Sequence, residues 1–163
     1  MQFNTHTLYL ENPPPVTHVD FNDFKNQYGG FKIKARILLC LIHYCETLRK
    51  ENIIPMYLIL GGNYLRNEDS PNSILKIITC FRSDTKVDPK AVRNYLSSIG
   101  ETAKRYRGAM EPIGQITLSS SQPEDLRNLY PHDIIATLQK DHTLGNRLSK
   151  VGLIRLSFNE VIK

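Results

Sequence analysis

The sequence predicts a single domain, residues 1–163, of the α/β or α+β class. Segments with apolar side chains every three or four positions, typical of helices, alternate with short apolar runs rich in β-branched residues, typical of buried strands. A chain of 163 residues is long enough to bury most of its apolar surface in one core. No internal repeat or low-complexity segment interrupts this alternation. The spacing by itself leaves both classes open.

The first 30 residues predict a proline-rich arm that is irregular apart from a short strand at residues 7–10. Three consecutive prolines follow Asn12, and proline lacks the backbone N–H that helices and sheets use. Residues 31–51 then predict a helix that packs on the core, because their apolar side chains recur at helical spacing. The core-facing side chains are Ile37, Leu38, Leu41, Cys45 and Leu48.

Two apolar runs predict buried strands at residues 56–60 and 74–81. The first run is bounded by Pro55 and Gly61, and the second is rich in β-branched side chains. Further strands are predicted at residues 113–118 and 151–158. The sequence therefore supplies at least four candidate strands for a sheet.

Helices are predicted between the later strands. Asp88 is a typical N-cap and precedes Pro89, which suits the first helical position, so a helix is predicted from Asp88 to Arg107. Two shorter helical stretches are predicted at residues 121–130 and 132–140. Together with the strands they complete the alternation that favours an α/β or α+β domain.

A Gly-Gly turn lies between the first two buried strands. Glycine allows a chain to turn tightly and to approach a ligand closely, and a helix that opens at such a turn points backbone N–H groups at a phosphate. Gly61 and Gly62 form the turn, Asn63 follows it, and Arg66 is near enough in sequence to contact a phosphate. These four residues are the candidate nucleotide-binding residues.

The order of these segments resembles that of the polymerase-beta-like nucleotidyltransferase superfamily, specifically its small uncharacterised bacterial members. Their signature is Gly-Gly-Ser-Phe-Val, a short acidic loop with proline, and Asp-Ile-Asp, and residues 58–81 follow the same layout. Residues 12–24 and 147–154 are similar to the family's entry and closing segments, so the resemblance covers most of the chain. It implies a small mixed β-sheet with helices packed on one face.

The metal-binding carboxylates of that family are missing from this chain. Ser73 and Leu75 occupy the Asp-x-Asp slot, and Gln115 lies on the strand that carries the third acidic residue in the family. Depending on register, Lys76 replaces Leu75, and its charge would repel Mg²⁺. Two-metal transfer requires carboxylates that hold both ions. The chain is therefore interpreted as a degenerate member with no catalytic residue, metal or cofactor.

Three acidic residues leave an enzymatic alternative open. Glu68 and Asp69 follow the Gly-Gly turn, and Glu111 precedes the third buried strand. In a divergent nucleotidyltransferase that modifies a protein or an RNA, they would have to bind Mg²⁺. A loop holds ligands less rigidly than a strand does, so a solvated turn is the more ordinary interpretation of Glu68 and Asp69.

The chain is moderately basic, with a formal net charge of +5. A basic patch would favour nucleic-acid binding, which is the third functional hypothesis. The end of the predicted helix at Arg107 also carries a negative partial charge that basic side chains complement. The candidate patch consists of Lys104, Arg105, Arg107, Arg147 and Lys150, with Arg155 nearby.

The three cysteines are interpreted as small core side chains. Cys40, Cys45 and Cys80 show neither zinc-ligand spacing nor the even number typical of a disulfide framework. No apolar run is long enough to span a bilayer, and the N-terminus lacks the pattern of a signal peptide. A cytoplasmic location with no membrane partner is predicted.

The leading functional hypothesis is a catalytically inactive nucleotidyltransferase-like protein that acts as a protein-binding or regulatory module. The resemblance implies a protein partner, such as a toxin or effector that the chain restrains, in an antitoxin-like role or in bacterial or phage defence and counter-defence. The alternatives are the divergent Mg²⁺-dependent transferase and the basic nucleic-acid-binding protein.

Overall fold

A five-stranded mixed β-sheet organises the described part of the chain, which in the computed structural model comprises residues 16–65, 73–82, 106, 108–118, 140–141, 147–148 and 153–162. The sheet has the order β1–β7–β2–β3–β4, and β5 and β6 form a separate pair. The strands are β1 (Val16–His18), β2 (Tyr57–Gly61), β3 (Leu75–Arg82), β4 (Met110–Leu118), β5 (Lys140–Asp141), β6 (Arg147–Leu148) and β7 (Leu153–Ser157).

The sheet is mixed because its neighbouring strands pair in both senses. Strand β2 lies at the centre and is antiparallel to both β3 and β7. The outer pairs, β1 with β7 and β3 with β4, are parallel. The predicted α/β class with a mixed sheet is therefore confirmed.

The described helices all pack on one face of the sheet, as predicted. They are α1 (Phe21–Tyr28), α2 (Lys32–Lys50) and the short α3 (Phe158–Val161). Their buried residues share one core cluster with Leu58, Leu60 and Ile77 of the central strands. The predicted core face of α2 is confirmed, since Ile37, Leu38, Leu41, Cys45 and Leu48 are all buried.

The opposite face of the sheet carries a second, smaller core cluster. Because successive side chains of a strand point to opposite faces, Tyr57 and Ile59 of β2 and Ile78 and Cys80 of β3 lie there, with Leu153 of β7. Ile59 and Ile78 are fully buried. Central strands buried on both faces explain why their sequences are continuous apolar runs rather than alternating ones.

The predicted irregular arm is wrong for residues 16–18 and 21–28, which form β1 and α1. Asp20 caps α1, its Oδ1 accepting a hydrogen bond from the backbone N of Asn22 at 2.8 Å. Phe21, Phe24 and Tyr28 lie on one face of this helix and are buried. The spacing of these three aromatic residues is typical of a helix with one buried face, but the prolines upstream favoured the prediction of an irregular arm.

The four predicted strands are confirmed as β2, β3, β4 and β7, with ends shifted by up to three residues. Strand β4 begins at Met110 in spite of Pro112, because the pairing of β3 with β4 shifts register between Ile77 and Ile78. Proline is tolerated in sheets at such irregularities. The predicted strand at residues 7–10 and the predicted helix at 121–130 lie outside the described residues, as does nearly all of the helix predicted from Asp88. The helix predicted at 132–140 also lies outside them except for Lys140, where it is wrong because Lys140 begins β5.

In the described part of the chain, no helix is long and apolar enough to cross a membrane.

Candidate functional site

The Gly-Gly turn joins the central strand to a short, buried helical turn. Gly61 is the last residue of β2 and pairs with Lys76 of β3. Gly62 has φ +88°, a backbone conformation that side chains with a Cβ rarely adopt. A three-residue 3-10 turn, Asn63–Leu65, follows, and all three residues are buried. The chain therefore turns back into the core immediately after the glycines.

The space beside Gly62 is occupied by the protein's own backbone. A Cβ placed on Gly62 would lie 2.5 Å from the carbonyl oxygen of Ile74 and 3.3 Å from Cγ of Lys76. A glycine is required here because the segment that enters β3 passes directly against it. The close approach that the sequence assigns to a ligand is thus made by residues 74–76.

The hydrogen-bonding groups of the turn are also engaged within the chain. Asn63 Oδ1 accepts a hydrogen bond from the backbone N of Ile74 at 2.6 Å. The backbone N of Tyr64 donates to the carbonyl of Ile74 at 3.2 Å, and that of Leu65 donates to Gly62 at 3.4 Å. Asn63 and two backbone amides of the turn therefore already have partners that a phosphate would have to displace.

Aromatic side chains anchor the turn to the first two helices. The Tyr64 ring lies 5.2 Å from that of Tyr28 and 6.0 Å from that of Phe24, centroid to centroid. Tyr28 Oη donates to the carbonyl of Leu65, and Tyr64 Oη donates to the carbonyl of Lys34, both at 3.1 Å. Burial raises the pKa of Tyr64, and the neighbouring Tyr28 raises it further.

A fully buried lysine completes this cluster, and sequence reasoning missed it. Lys34 Nζ lies 5.1 Å, 4.9 Å and 5.7 Å from the ring centroids of Tyr28, Phe31 and Tyr64. Aromatic faces attract a cation at such distances. The signal was present, because Lys34 precedes Ile37, Leu38 and Leu41 by helical spacings and so belongs to the buried face of α2.

The predicted Asp-x-Asp slot leads into the core. Ser73 is 2% exposed and Leu75 is 0% exposed, and Leu75 packs in the cluster beneath the helices. Lys76 lies on the opposite face of β3, is 3% exposed and pairs with Glu111 of β4. Of the two alternatives for the second slot, Leu75 faces the helices and Lys76 lies beside Gly62. Neither position holds an acidic side chain, and Glu111 is half-buried next to the lysine's strand position.

Gln115, at the third predicted metal-ligand position, does not lie close to the other two positions, Ser73 and Leu75. Gln115 pairs with Thr79 of β3, whereas Leu75 pairs with Met110 at the start of β4. Four residues along a strand separate Leu75 from Thr79, which corresponds to about 13 Å. One metal ion could not bridge these positions. Thr79 itself is buried and shares a hydrogen bond of 3.1 Å with Tyr44 of α2.

Several predicted site residues lie outside the described residues. They are Arg66, Glu68 and Asp69 of the segment after the turn, and Lys104, Arg105, Arg107 and Lys150 of the basic patch. Arg147 belongs to β6 and pairs with Asp141 of β5. Within the described residues, the predicted basic patch is represented by Arg147 on β6 and by Arg155, nearby in the sequence, on β7.

Apart from the turn, the described residues enclose a cavity of about 410 Å³ beside the N-terminus of α1. Two of its three carboxylates already serve the helix, while the third belongs to Glu46. Asp20 caps the helix, and Glu160 Oε2 accepts from the backbone N of Phe21 at 3.2 Å. In the portion of the chain that is described, no group of three His, Cys, Asp or Glu side chains is placed to hold a metal ion.

Comparison with known proteins gave no match to a family model, a curated protein or a solved structure. The resemblance to polymerase-beta-like nucleotidyltransferases therefore stands on the order of the sequence segments.

Proposed function

We propose that the chain is a catalytically inactive nucleotidyltransferase-like protein whose domain acts as a protein-binding or regulatory module. One observation carries the proposal: the Gly-Gly turn is filled by the protein itself. Asn63 Oδ1 accepts from Ile74 N at 2.6 Å, and the Cβ position of Gly62 is 2.5 Å from Ile74 O. The residues that enter β3 close this turn, so the turn has a structural role that does not require a nucleotide.

Hydrogen-bond free energies favour the closed turn over a turn that binds a triphosphate. A triphosphate at this position would have to replace hydrogen bonds that Ile74 makes with Asn63 and Tyr64. Each such bond contributes about 1 kcal/mol net, and a buried group left without its partner costs about 1–3 kcal/mol. Because the two strands are covalently linked and paired along their length, the internal contact has a large advantage over a dissolved ligand.

The carboxylate positions support the same proposal. A metal ligand introduced at Leu75 would lie among apolar side chains beneath α2, and an ionised carboxylate there would be strongly penalised by desolvation. On the other face, Lys76 lies beside Gly62. Leu75, at one of the positions that the resemblance assigns to catalysis, thus serves packing in this chain.

The partner that we propose is a protein with an acidic surface, such as a toxin or effector that this chain restrains. The net charge of +5 favours encounter with such a surface. The outward side of α2 adds exposed Lys32 and Arg36 beside Leu39, which is 66% exposed. A large apolar side chain between basic ones suits a protein partner better than a purely electrostatic one.

Calorimetric titration with ATP and GTP, with and without Mg²⁺, tests the inactive character of the turn. No binding heat is expected under either condition, and the backbone amide signals of Gly62 and Tyr64 should not shift in a parallel NMR titration. Magnesium-dependent micromolar binding, followed by transfer of a labelled nucleotide to protein or RNA, would contradict the proposal.

The binding role needs a separate test. We expect a candidate partner purified with the chain to form a stoichiometric complex when both are mixed as isolated proteins. Charge reversal at Arg36 should weaken that complex, and charge reversal at Arg49, on the same helix, is the matched control. A complex that is unaffected by either change would contradict the assignment of the surface around Leu39.

A further inference from the structure

An arginine on the sheet face opposite the helices is held in one orientation by two neighbours. The Arg155 guanidinium lies 4.5 Å from the ring centroid of Tyr57, and its Nε donates to Nδ1 of His18 at 3.3 Å. Arg155 is half-buried, His18 is exposed and Tyr57 is 8% exposed. The Arg155 side chain therefore packs on the buried ring of Tyr57, near the edge strand β1.

Strand register brings these three residues together. Arg155 of β7 pairs directly with His18 of β1, and Tyr57 of β2 pairs with Ser157, two residues further along β7. Directly paired residues lie on the same face, and diagonal neighbours are within reach of long and aromatic side chains. The arrangement continues one residue beyond β1, where the backbone N of Val19 donates to the carbonyl of Arg155 at 3.0 Å.

The contacts leave a defined set of donors. A guanidinium has five N–H groups and no acceptor. The Nε–H is used by His18, and Cζ lies over the Tyr57 ring. In the described part of the chain, the four N–H groups on the two terminal nitrogens have no hydrogen-bond partner. Because His18 Nδ1 accepts a hydrogen bond, a neutral ring carries its proton on Nε2, which is a further donor. Among the described residues, no carboxylate lies within ion-pair distance of Arg155.

We propose that Arg155, supported by Tyr57 and assisted by His18, is a receptor for one oxyanion, a carboxylate or a phosphate. The two terminal nitrogens of arginine match a pair of anionic oxygens, and such bidentate bonds are among the strongest hydrogen bonds in proteins. The contact with Tyr57 and the bond to His18 fix the guanidinium before a ligand arrives, which lowers the entropic cost of binding. This site is separate from the Gly-Gly turn and does not depend on the proposed function.

An NMR titration that observes the Arg155 Nε–Hε signal tests the proposal. The full chain is titrated with inorganic phosphate in one series and acetate in another, at constant ionic strength and pH. A saturable shift in either series is expected; saturation by phosphate alone assigns a phosphorylated ligand, by acetate alone a carboxylate ligand, and by both a general oxyanion site. Absence of saturation in both series overturns the proposal.

Two variants separate the receptor from general charge. Arg155→Lys keeps the charge but loses the paired donors, and we expect the dissociation constant, followed through the His18 ring signals, to rise about tenfold, the effect of one lost charge-assisted hydrogen bond. Arg49→Lys, on the exposed side of α2, should leave the dissociation constant unchanged. Equal binding by wild type and Arg155→Lys would overturn the proposal. If Arg155→Lys does not fold, His18→Ala at the exposed neighbour should weaken binding, followed through the Arg155 Nε–Hε signal.

Discussion

At the residue scale, Gly62 and Asn63 of the Gly-Gly turn pack closely against the backbone of Ile74. Gly62 combines a positive φ with a Cβ position only 2.5 Å from Ile74 O. Asn63 uses its side-chain oxygen to hold the next strand through Ile74 N. Asn63→Ala therefore removes a structural contact, so loss of function in that variant would not by itself indicate nucleotide binding.

Alanine substitutions at three glycines separate the cost of a positive φ from the cost of a steric clash of the added Cβ. Gly62→Ala should lower the free energy of unfolding more than Gly108→Ala, because Gly62 has both φ +88° and a backbone contact, whereas Gly108 has φ +79° and open space. The positive φ alone costs about 1–2 kcal/mol. Gly30→Ala, with no atom within 4 Å and no positive φ, is the control. Denaturant unfolding measures all three; equal losses for Gly62 and Gly108 would contradict the crowding argument.

At the scale of elements, an aromatic cluster joins α1, α2 and the 3-10 turn. Lys34, Tyr28 and Tyr64 combine ring contacts, cation–ring contacts and hydrogen bonds to backbone carbonyls. Because these contacts join residues of three separate elements, the cluster fixes the position of the turn against the helices. The helical spacing of Lys34 from Ile37 and Leu38 was a local signal of its burial that was not used, and only the structure showed what surrounds it.

The ionisation of Tyr64 gives this cluster a pH signature. Its pKa is raised above the ordinary value of 10.0 by burial, so above that pH the unfolded chain releases a proton that the folded chain retains. The free energy of unfolding should then fall with rising pH, by up to about 1.4 kcal/mol per pH unit for this one group. Below pH 10 the contribution is constant.

Comparison of wild type with Tyr64→Phe isolates that contribution from those of the other tyrosines. The variant loses the hydrogen bond to Lys34 O, which contributes about 1 kcal/mol, and should show a shallower decline of stability above pH 10. Chemical unfolding between pH 8 and pH 11 measures both effects. Parallel pH profiles for the two proteins would show that Tyr64 ionises normally.

At the scale of the whole molecule, residues from both ends of the chain complete the sheet and its core. Strand β1 pairs with β7, so residues 16–18 lie beside residues 153–155. Helix α1 follows directly and places Phe21, Phe24 and Tyr28 in the main cluster. The segment that the prolines suggested was an irregular arm is thus, from residue 16 onward, an integral part of the domain.

Phe24 tests this conclusion. Its side chain is 0% exposed and contacts the rings of Tyr28 and Tyr64, so Phe24→Ala should lower the free energy of unfolding by about 3–5 kcal/mol. Leu39→Ala, at a side chain that is 66% exposed, should change it by less than about 0.5 kcal/mol. Thermal and urea unfolding provide the comparison. A small effect at Phe24 would mean that α1 is not part of the cooperative fold.

The sequence by itself narrowed the fold to the α/β or α+β class and predicted the core face of α2 and the positions of four strands, because these follow from local periodicity. Helix α1 and the buried Lys34 were not predicted, although the aromatic spacing in residues 21–28 and the position of Lys34 on the apolar face of α2 were local signals of both. The tertiary structure decided what the Gly-Gly turn contacts, which face Leu75 and Lys76 occupy, and that Arg155 stands between His18 and Tyr57. These features depend on strand register and on pairs of residues distant in the chain, and no local pattern encodes them. The physical reason is the same for these features. The sequence gives the chemistry of each side chain, but the strands and helices that pack against it determine its surroundings.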